Sequence, residues 1–352
     1  MLRNRVSKLA AAGAAGAMVM AVAACGGSDS NTSATPGASA PAASAVKVGL
    51  AYDVGGRGDG SFNDAAAAGL DKAVSELKVT SKELEATQGE TDTQKEERLR
   101  LLAQGGYNPI VAVGFAYSGS LAKVAKEFPD THFAIVDDDA ATGANIDNLV
   151  FAEEQGSFLV GAAAALKSKK GDVGFVGGVD VPLIHKFQAG FEAGAKAVKP
   201  DIKIQTKYLS QPPDMSGFGD PAKGKTAAQG MYDAGADVVY QAAGGSGGGV
   251  FDAAKASNGL AIGVDSDQAA LPAYSAVKDV ILTSMVKKVD VAVFDFLQSD
   301  VAGKFTAGKH VYDLKAGGVD YSTTGGQLDD IKTQLDEFKQ KIINGEITVP
   351  TS

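Results

Sequence analysis

Acidic side chains follow three of the short apolar segments of this sequence. Asp53, Asp137 and Asp265 each come directly after such a segment. An ionised aspartate only accepts hydrogen bonds, so carboxylates that converge on one site favour a ligand rich in hydroxyl and N–H groups. They would also repel a phosphate group, because the charges are alike. The acids therefore predict a site for a neutral ligand with many donors, such as a sugar or a nucleoside.

A glycine-rich loop, AYDVGGRGDGSFND at positions 51–64, joins the first apolar segment to a helical pattern. Such loops often hold phosphate, but the Lys-Ser or Lys-Thr pair of a Walker loop does not follow its last glycine. A second glycine run, GGSGGG at 244–249, has Ser246 where the dinucleotide fingerprint needs its second glycine. We therefore predict no nucleotide cofactor, and we expect these glycines to let the backbone approach a ligand closely.

Phe62 and Asn63 stand at the first turn of the helix that follows this loop. A phenylalanine that faces a cleft can stack on a planar base, and the amide of Asn63 offers a donor and an acceptor to the edge of that base. Alternatively, Phe62 belongs to the apolar face of the helix and packs in the core. The residues alone leave both interpretations open.

Neighbouring acids raise the possibility of a metal site. The runs Asp137-Asp138-Asp139 and Asp265-x-Asp267 could supply oxygen ligands to a hard cation. Neither run has the alternating acids, the glycine and the terminal glutamate of a calcium-binding loop. We therefore interpret Asp138, Asp139 and Asp267 as caps or surface residues and predict no metal.

The histidines give little support to an enzyme. The chain has three, His132, His185 and His310, and none belongs to a recognisable pairing of nucleophile and base. The enzyme considered as an alternative is a secreted nucleoside hydrolase. We predict that the protein is not an enzyme.

A sheet must position the residues that follow the apolar segments. These segments show little alternation, as expected for parallel strands that helices cover on both faces. Segments with helical spacing separate most of them. Strand–helix repetition over about 300 residues predicts an α/β protein with two Rossmann-like lobes, whose ligands bind beyond the carboxyl ends of the strands. The predicted strands are Val46–Tyr52, Ser81–Ala86, Ile110–Val113, Phe133–Val136, Leu149–Phe151, Val173–Val176, Ile202–Tyr208, Val238–Gln241, Ala261–Val264 and Val280–Thr283.

The first 45 residues predict export and anchoring. Three basic residues precede an uncharged, small and apolar run from Leu9 to Ala24, which is typical of a secretory signal peptide. The run ends in VAAC at Cys25, the only cysteine of the chain, and this context resembles a bacterial lipobox. We predict a signal peptide at 1–24 and a lipidated Cys25. A flexible linker should extend to residue 45, because this segment is small, polar and proline-containing.

The net charge disfavours one class of partner. The chain has a formal net charge of −9, which becomes −12 when the signal peptide takes Arg3, Arg5 and Lys8 with it. Proteins bind nucleic acid largely by neutralising phosphates, and this chain has neither a basic run nor a helix-turn-helix pattern. We therefore expect no nucleic-acid binding, which disfavours a transcriptional repressor of the same fold.

Seven segments taken together resemble the basic membrane protein (BMP) family. Members of that family are lipoproteins that serve as nucleoside-binding components of bacterial ABC importers. The segments occur in order between Val46 and about Asp320. They are VGLAYDVGGRGDGSFNDAAAAGL, VDD, GFVGGVDVPLIHKFQAGFEAGAKAVKPDIKI, DPAKGK, GADVVYQAAGGSGGGVFDAAK, AIGVDSDQ and LTSMVKKVDVAVFD.

The resemblance implies contacts to a purine base. Phe62 matches the aromatic residue that stacks on the base, and Phe218 matches a second aromatic that closes over it. Asn63 and Asp137 match the polar groups that hold the edge of the base. Asp53 matches a further polar contact in the same pocket.

The resemblance also implies contacts to a ribose. Gly244, Asp265 and Lys287 match the residues that hold the ribose hydroxyls. Lys287 would be the one cation in an acidic pocket, and we expect it to pair with Asp265 while it donates to a ribose oxygen.

The implied architecture is a type I periplasmic-binding-protein fold, with two α/β lobes joined by a three-segment hinge. We predict that residues 46–150 and 266–300 form lobe 1 and that residues 151–265 and 301–352 form lobe 2. The chain would then cross between lobes near residues 150, 265 and 300. Closure about the hinge would bury a ligand in the cleft.

The predicted function is that of an extracytoplasmic solute-binding lipoprotein of the cell membrane. It would capture nucleosides, with a preference for purines, and deliver them to the permease subunits of an ABC importer. We expect a monomer that reaches the membrane only through its lipid. Two alternatives stay open: a receptor for sugars or other small polar solutes, and a sensor that reports occupancy to a membrane partner.

Overall fold

The structure is a computed structural model that describes residues 46–352, so the predicted signal peptide, Cys25 and the linker lie outside the described residues. The described part contains twelve strands and nine α-helices. The strands are β1 (Lys47–Ala51), β2 (Thr80–Leu84), β3 (Ile110–Ala112), β4 (Phe133–Val136), β5 (Ile146–Phe151), β6 (Asp172–Val179), β7 (Lys203–Ser210), β8 (Val238–Ala242), β9 (Leu260–Asp265), β10 (Ile281–Lys287), β11 (Gly308–Tyr312) and β12 (Val319–Tyr321). The helices are α1 (Phe62–Leu77), α2 (Asp92–Gln104), α3 (Ser118–Glu127), α4 (Glu153–Lys167), α5 (Pro182–Val198), α6 (Pro221–Asp233), α7 (Gly247–Ala256), α8 (Val289–Val301) and α9 (Lys332–Ile343).

The strands form two sheets of six. The first sheet has the order β11-β5-β4-β3-β1-β2, and all its neighbouring strands are parallel. The second has the order β12-β10-β9-β8-β6-β7, and only the pair β10–β12 is antiparallel. We call the first sheet with the helices packed on it lobe 1, and the second sheet with its helices lobe 2. The predicted two-lobed α/β architecture is therefore confirmed.

Two of the predicted lobe boundaries are wrong. Strand β10 pairs with β9 in the second sheet, although we placed 266–300 in lobe 1. Strand β11 pairs with β5 in the first sheet, although we placed 301–352 in lobe 2. The chain crosses between lobes after β5, between β10 and α8, and between β11 and β12. Helix α8 packs on α1 in lobe 1, whereas α9 packs on α4 in lobe 2.

Local sequence explains how the helices begin. Helix α2 has Thr91 as its N-cap, in a capping box with Gln94. Asp92 lies in the first turn, where its charge complements the helix dipole. Helices α5 and α6 begin with Pro182 and Pro221, because proline has no N–H to leave unpaired there.

The core lies between the sheets and their helices. Strands β3, β4, β6, β8 and β10 are buried along their whole length, which explains why apolar residues predominate in them. None of the helices in residues 46–352 is both long and apolar enough to span a membrane. The parallel strands point their carboxyl ends towards the region between the lobes, where the candidate site lies.

Candidate functional site

A cleft between the lobes brings together all eight residues that we predicted as ligand contacts. Its empty space measures about 580 Å³ including the mouth. The two lobes stand close together across it, since Lys287 of lobe 2 contacts Asp137 of lobe 1. The predicted residues along it are Asp53, Phe62, Asn63, Asp137, Phe218, Gly244, Asp265 and Lys287. The structure adds Val54, Asp59, Phe115, Leu183, Ile184, Phe187, Ala242 and Val264 to its lining.

The glycine-rich loop after β1 is held by two aspartates. The carboxylate of Asp59 accepts hydrogen bonds from the backbone N–H groups of Ser61 (2.9 Å), Asn63 (2.9 Å) and Asp64 (3.1 Å). Asp64 in turn accepts from the N–H groups of Gly58 (2.7 Å) and Gly60 (2.8 Å). Burial raises the pKa of Asp59 to about 6, and the three N–H donors oppose that rise. Asp59, two residues before the N-cap Ser61, thus supplies acceptors to the first N–H groups of α1 and fixes where Phe62 and Asn63 begin the helix.

Asp53 lies two residues after the end of β1 and lines the cleft. Its Oδ1 accepts a hydrogen bond of 2.7 Å from the backbone N–H of Val54. Burial raises the pKa of Asp53 to about 6, and this N–H donor limits the rise. A ligand N–H or O–H group would be a second donor to the same carboxylate.

A buried lysine joins acids from both lobes. Lys287, the last residue of β10, is 3% exposed. Its Nζ lies 2.5 Å from Oδ2 of Asp137 in lobe 1 and 3.7 Å from Oδ1 of Asp265 in lobe 2. Its closer partner is therefore Asp137, although we expected Asp265. Burial alone would lower the pKa of Lys287, but Asp137, Asp265 and Glu153 raise it above its usual value.

The two acids beside this lysine have an unusual backbone. Asp137 and Asp265 both have a φ of 64°, in the left-handed region that few residues other than glycine adopt. At both positions this conformation lets the backbone turn sharply away from its strand and present the aspartate side chain to the cleft. Burial raises the pKa of Asp265, while Lys287 and the hydroxyl of Ser61 oppose the rise.

Aromatic rings form the apolar walls of the cleft. Phe62 is half-buried, packs against the core and also lines the cleft, so the structure joins the two interpretations of this residue. The Lys287 ammonium lies 4.6 Å from the centroid of the Phe62 ring, within cation–π range. Phe218 meets Phe115 edge to face, with centroids 6.5 Å apart. A Cβ at Gly178 would lie only 2.4 Å from Phe218 Cδ1, so glycine is needed there.

Two oxygen atoms in the cleft lack hydrogen-bond partners among residues 46–352. They are Oδ1 of Asn63 and Oδ1 of Asp137, and both are buried. Asn63 uses its Nδ2 to donate to the Val54 carbonyl at 3.1 Å, which leaves the oxygen as its free acceptor. A buried acceptor without a donor costs about 1–3 kcal/mol. Both atoms are therefore suited to accept hydrogen bonds from N–H or O–H groups of a ligand.

Glu153 is a buried charged residue near the cleft that the sequence did not lead us to predict. It is the first residue of α4, it is completely buried, and its Oε2 lies 3.3 Å from Nζ of Lys186. Burial and then Asp137 raise the pKa of Glu153 to about 7. It follows β5 by two residues, the same offset that separates Asp53 from β1, so the strand-end rule could have found it.

The remaining acids that we set aside lie outside the cleft. Asp138 accepts from the N–H groups of Ala140 (3.1 Å) and Ala141 (2.8 Å) and so stabilises a turn. Asp139 pairs with Lys309 at the surface at 2.6 Å. In the described part of the chain, no three His, Cys, Asp or Glu side chains are grouped so that they could hold a metal ion. Each histidine contacts an aspartate: His132 with Asp300, His185 with Asp180 and His310 with Asp147.

Comparisons with known proteins give the family. A sequence model of the Bmp family, described as ABC transporter substrate-binding protein PnrA-like, matches residues 45–352. The ABC transporter nucleoside-binding protein BmpA of Lactococcus lactis subsp. cremoris (strain MG1363) is 36% identical over 326 residues, 87% of this chain and 89% of that protein. An uncharacterized lipoprotein of Pyrococcus abyssi (strain GE5 / Orsay) is 36% identical over 310 residues, 84% of this chain and 72% of that protein.

The solved structures agree with this result. The ABC transporter system solute-binding protein from Aeropyrum pernix K1 has a TM-score of 0.76 and 29% sequence identity, and the match covers 87% of this chain and 94% of that chain. The predicted periplasmic-binding-protein fold is therefore confirmed. The family consists of substrate-binding components of transporters, so the prediction that the protein is not an enzyme is confirmed as well. This chain belongs to the Bmp family of PnrA-like ABC transporter substrate-binding proteins.

Proposed function

We propose that this protein captures uncharged nucleosides, with a preference for purines, in the cleft between its lobes. The observation that carries the proposal is the pair of unpartnered acceptors, Asn63 Oδ1 and Asp137 Oδ1, beside the ring of Phe62. A purine has a flat face for the ring and N–H groups for the acceptors. The Lactococcus relative is named a nucleoside-binding protein, which supports the same ligand class.

Each cleft residue has a role in this proposal. Phe62 and Phe218 hold the faces of the base, and Asn63 and Asp137 hold its edge. Asp53 accepts a further hydrogen bond from the ligand.

The ribose lies at the other end of the site. The backbone at Gly244 allows close approach of the sugar. Asp265 accepts from a ribose hydroxyl, and Lys287 donates to a ribose oxygen.

The loaded protein then delivers the nucleoside to the permease of an ABC importer, and it acts as a monomer.

Adenosine should bind at least about tenfold more tightly than adenosine 5′-monophosphate. Two like unit charges about 4 Å apart repel by about 4 kcal/mol at an effective dielectric of 20, and the cleft already holds Asp53, Asp137 and Asp265. Isothermal titration calorimetry of both ligands, with inosine, cytidine, ribose and glucose in the same panel, measures this. Tight binding of a sugar without a base would overturn the proposal in favour of a sugar receptor, and equal affinity for the two adenosine compounds would contradict the placement of the acids.

We further propose that a lipid on Cys25 anchors the protein to the extracytoplasmic face of the cell membrane. The charged, apolar and cysteine-containing segments of residues 1–25 support this, as does the name of the Pyrococcus relative, a lipoprotein.

Replacement of Cys25 should remove the anchor. In cells that express Cys25→Ser, the protein should appear in the soluble extracytoplasmic fraction or remain as an unprocessed precursor, because serine offers no thiol for the lipid. Membrane fractionation and the mass of the mature chain report this. Ser28→Ala, three residues downstream, is the control and should fractionate like the parent. Normal processing of Cys25→Ser with full membrane retention would refute lipidation.

A further inference from the structure

The turn that precedes α1 makes hydrogen bonds with three side chains of lobe 2. Gln268 Nε2 donates to the Gly60 carbonyl at 2.7 Å, and Tyr274 OH donates to the Asp59 carbonyl at 3.3 Å. In the third contact, Ser61 Oγ of lobe 1 donates to Asp265 Oδ2 at 2.5 Å. These contacts cross between the lobes directly before Phe62. Gln268 and Tyr274 do not line the cleft, so neither depends on a ligand.

Gln268 is rigidly held on the side of lobe 2. It is completely buried, and its Oε1 accepts from Gln241 Nε2 (2.9 Å) and from the backbone N–H of Val264 (2.9 Å). Its own backbone N–H donates to Ser284 Oγ at 3.1 Å. Three of its bonds therefore stay within lobe 2, and only the amide Nε2 reaches lobe 1. Opening of the cleft would leave this buried donor without its partner, which is unfavourable.

Tyr274 adds a packing contact at the same place. Its ring meets Phe251 of lobe 2 edge to face, with centroids 5.0 Å apart. On its other side it lies against Gly60, where an added Cβ would come within 2.9 Å of Tyr274 Cε2. Gly60 has a φ of 59°, so glycine also suits its backbone. The ring thus fits against lobe 1 only when the lobes are close together.

We propose that Gln268 and Tyr274 form a cross-lobe latch that positions the start of α1 and stabilises the closed cleft without touching the ligand. The apparent dissociation constant of a receptor equals its intrinsic value divided by the fraction of molecules in the binding-competent state. The latch raises that fraction. It therefore sets the affinity for every ligand that requires closure, and by a common factor. Two experiments test the latch. The measurement of ligand affinity rests on the proposed nucleoside function, whereas the measurement of hydrogen–deuterium exchange needs no ligand.

The variant Gln268→Glu breaks the latch selectively. A carboxylate can still accept from Gln241 and Val264. Its second oxygen, however, faces the Gly60 carbonyl and cannot donate to it, so two acceptors repel each other there. At pH 9 we expect adenosine and inosine each to bind about tenfold more weakly, with an unchanged ratio between them. At pH 5.5 the loss should shrink, because a neutral carboxyl can again donate to Gly60. A residue that contacts the ligand would change the ratio, and that result would overturn the proposal.

Hydrogen–deuterium exchange of the ligand-free, full-length protein tests closure directly. In Gln268→Glu at pH 9, the amides of residues 59–62 should exchange about tenfold faster than in the parent, because the cleft opens more often. Gln205→Glu is the matched control, since its amide donates to Asp172 within lobe 2 and lies far from the cross-lobe contacts. Exchange at residues 59–62 should be unchanged in this control.

Tyr274→Ala is a second variant that tests the latch. Its effect does not depend on the protonation of a carboxyl group, and it is informative even if Gln268→Glu does not fold. Loss of the ring should speed amide exchange at residues 59–62. It should also weaken the binding of adenosine and of inosine by the same factor. Parent-like exchange and affinity in this folded variant would overturn the latch. If the parent itself binds no nucleoside, the proposed function fails, while the exchange rates still decide whether the latch exists.

Discussion

Lys287→Met should lower the free energy of unfolding by about 3–5 kcal/mol and abolish measurable nucleoside binding. The substitution leaves the carboxylates of Asp137, Asp265 and Glu153 buried without their shared cation. Removal of one member of a buried ion pair typically costs this much, because an uncompensated charge remains. Urea denaturation measures the loss. Lys288→Met is the matched control, and because its side chain is partly exposed we expect a change within about 0.5 kcal/mol.

The loss in Lys287→Met should also depend on pH with a defined sign. Lys287 lowers the pKa of both Asp265 and Glu153, so its removal raises both values. A carboxyl group with a raised pKa binds more protons in the folded than in the unfolded state, so stability falls as pH rises between the unfolded and folded pKa values. For Glu153 that window already extends from 4.5 to about 7 in the parent.

The variant should therefore lie closer to the parent in stability at pH 5 than at pH 8.5. Urea denaturation of parent and Lys287→Met at both pH values measures the difference. An equal loss at both values, or a larger loss at pH 5, would contradict the shared-cation arrangement.

Phe62→Ala should weaken adenosine binding by about 5- to 150-fold. A base stacked on an aromatic ring gains roughly 1–3 kcal/mol, and each 1.4 kcal/mol corresponds to a factor of ten. Binding of a sugar without a base should change much less. Calorimetry measures both ligands, and thermal denaturation separates this effect from a loss of packing.

Phe338→Ala is the control for the Phe62 experiment. Phe338 is also half-buried and packs edge to face on Phe158, and it does not line the cleft. Its truncation should lower the melting temperature with little change in adenosine affinity. If Phe62→Ala lowers the melting temperature in the same way and binds adenosine as tightly as the parent, Phe62 is a core residue and the base-stacking role is wrong.

The strand-end rule worked where strand ends could be read from the sequence. Asp53, Asp137 and Asp265 follow uninterrupted apolar runs, and the structure brings all three to one cleft. Lys287 escaped the rule because we ended its strand at Thr283. Strand β10 continues through Ser284 to Lys287, because buried partners such as the Ser322 side chain receive its polar groups. Such partners are distant in sequence and leave no local signal.

Lobe membership was hard to predict for the same reason. Strands β10 and β11 lie close together in the sequence but belong to different sheets. Pairing with β9 or with β5 is decided by non-local contacts, and the spacing of apolar residues reports only that a strand exists. Asp59 is a related case, because an aspartate in a glycine-rich loop has the same sequence appearance whether it caps a helix or contacts a ligand.

The left-handed backbone at Asp137 and Asp265 limits how this receptor can acquire a new specificity. Residues other than Gly, Asn and Asp typically lose about 1–2 kcal/mol in that conformation. A lysine or arginine at either position would therefore combine a strained backbone with a new charge. An evolutionary path towards phosphorylated ligands should spare these two positions and place its cation at a less constrained one, such as Val54 or Leu183. Asparagine is the replacement that both positions should tolerate, so uncharged variants of this site are more accessible to evolution than charge-reversed ones.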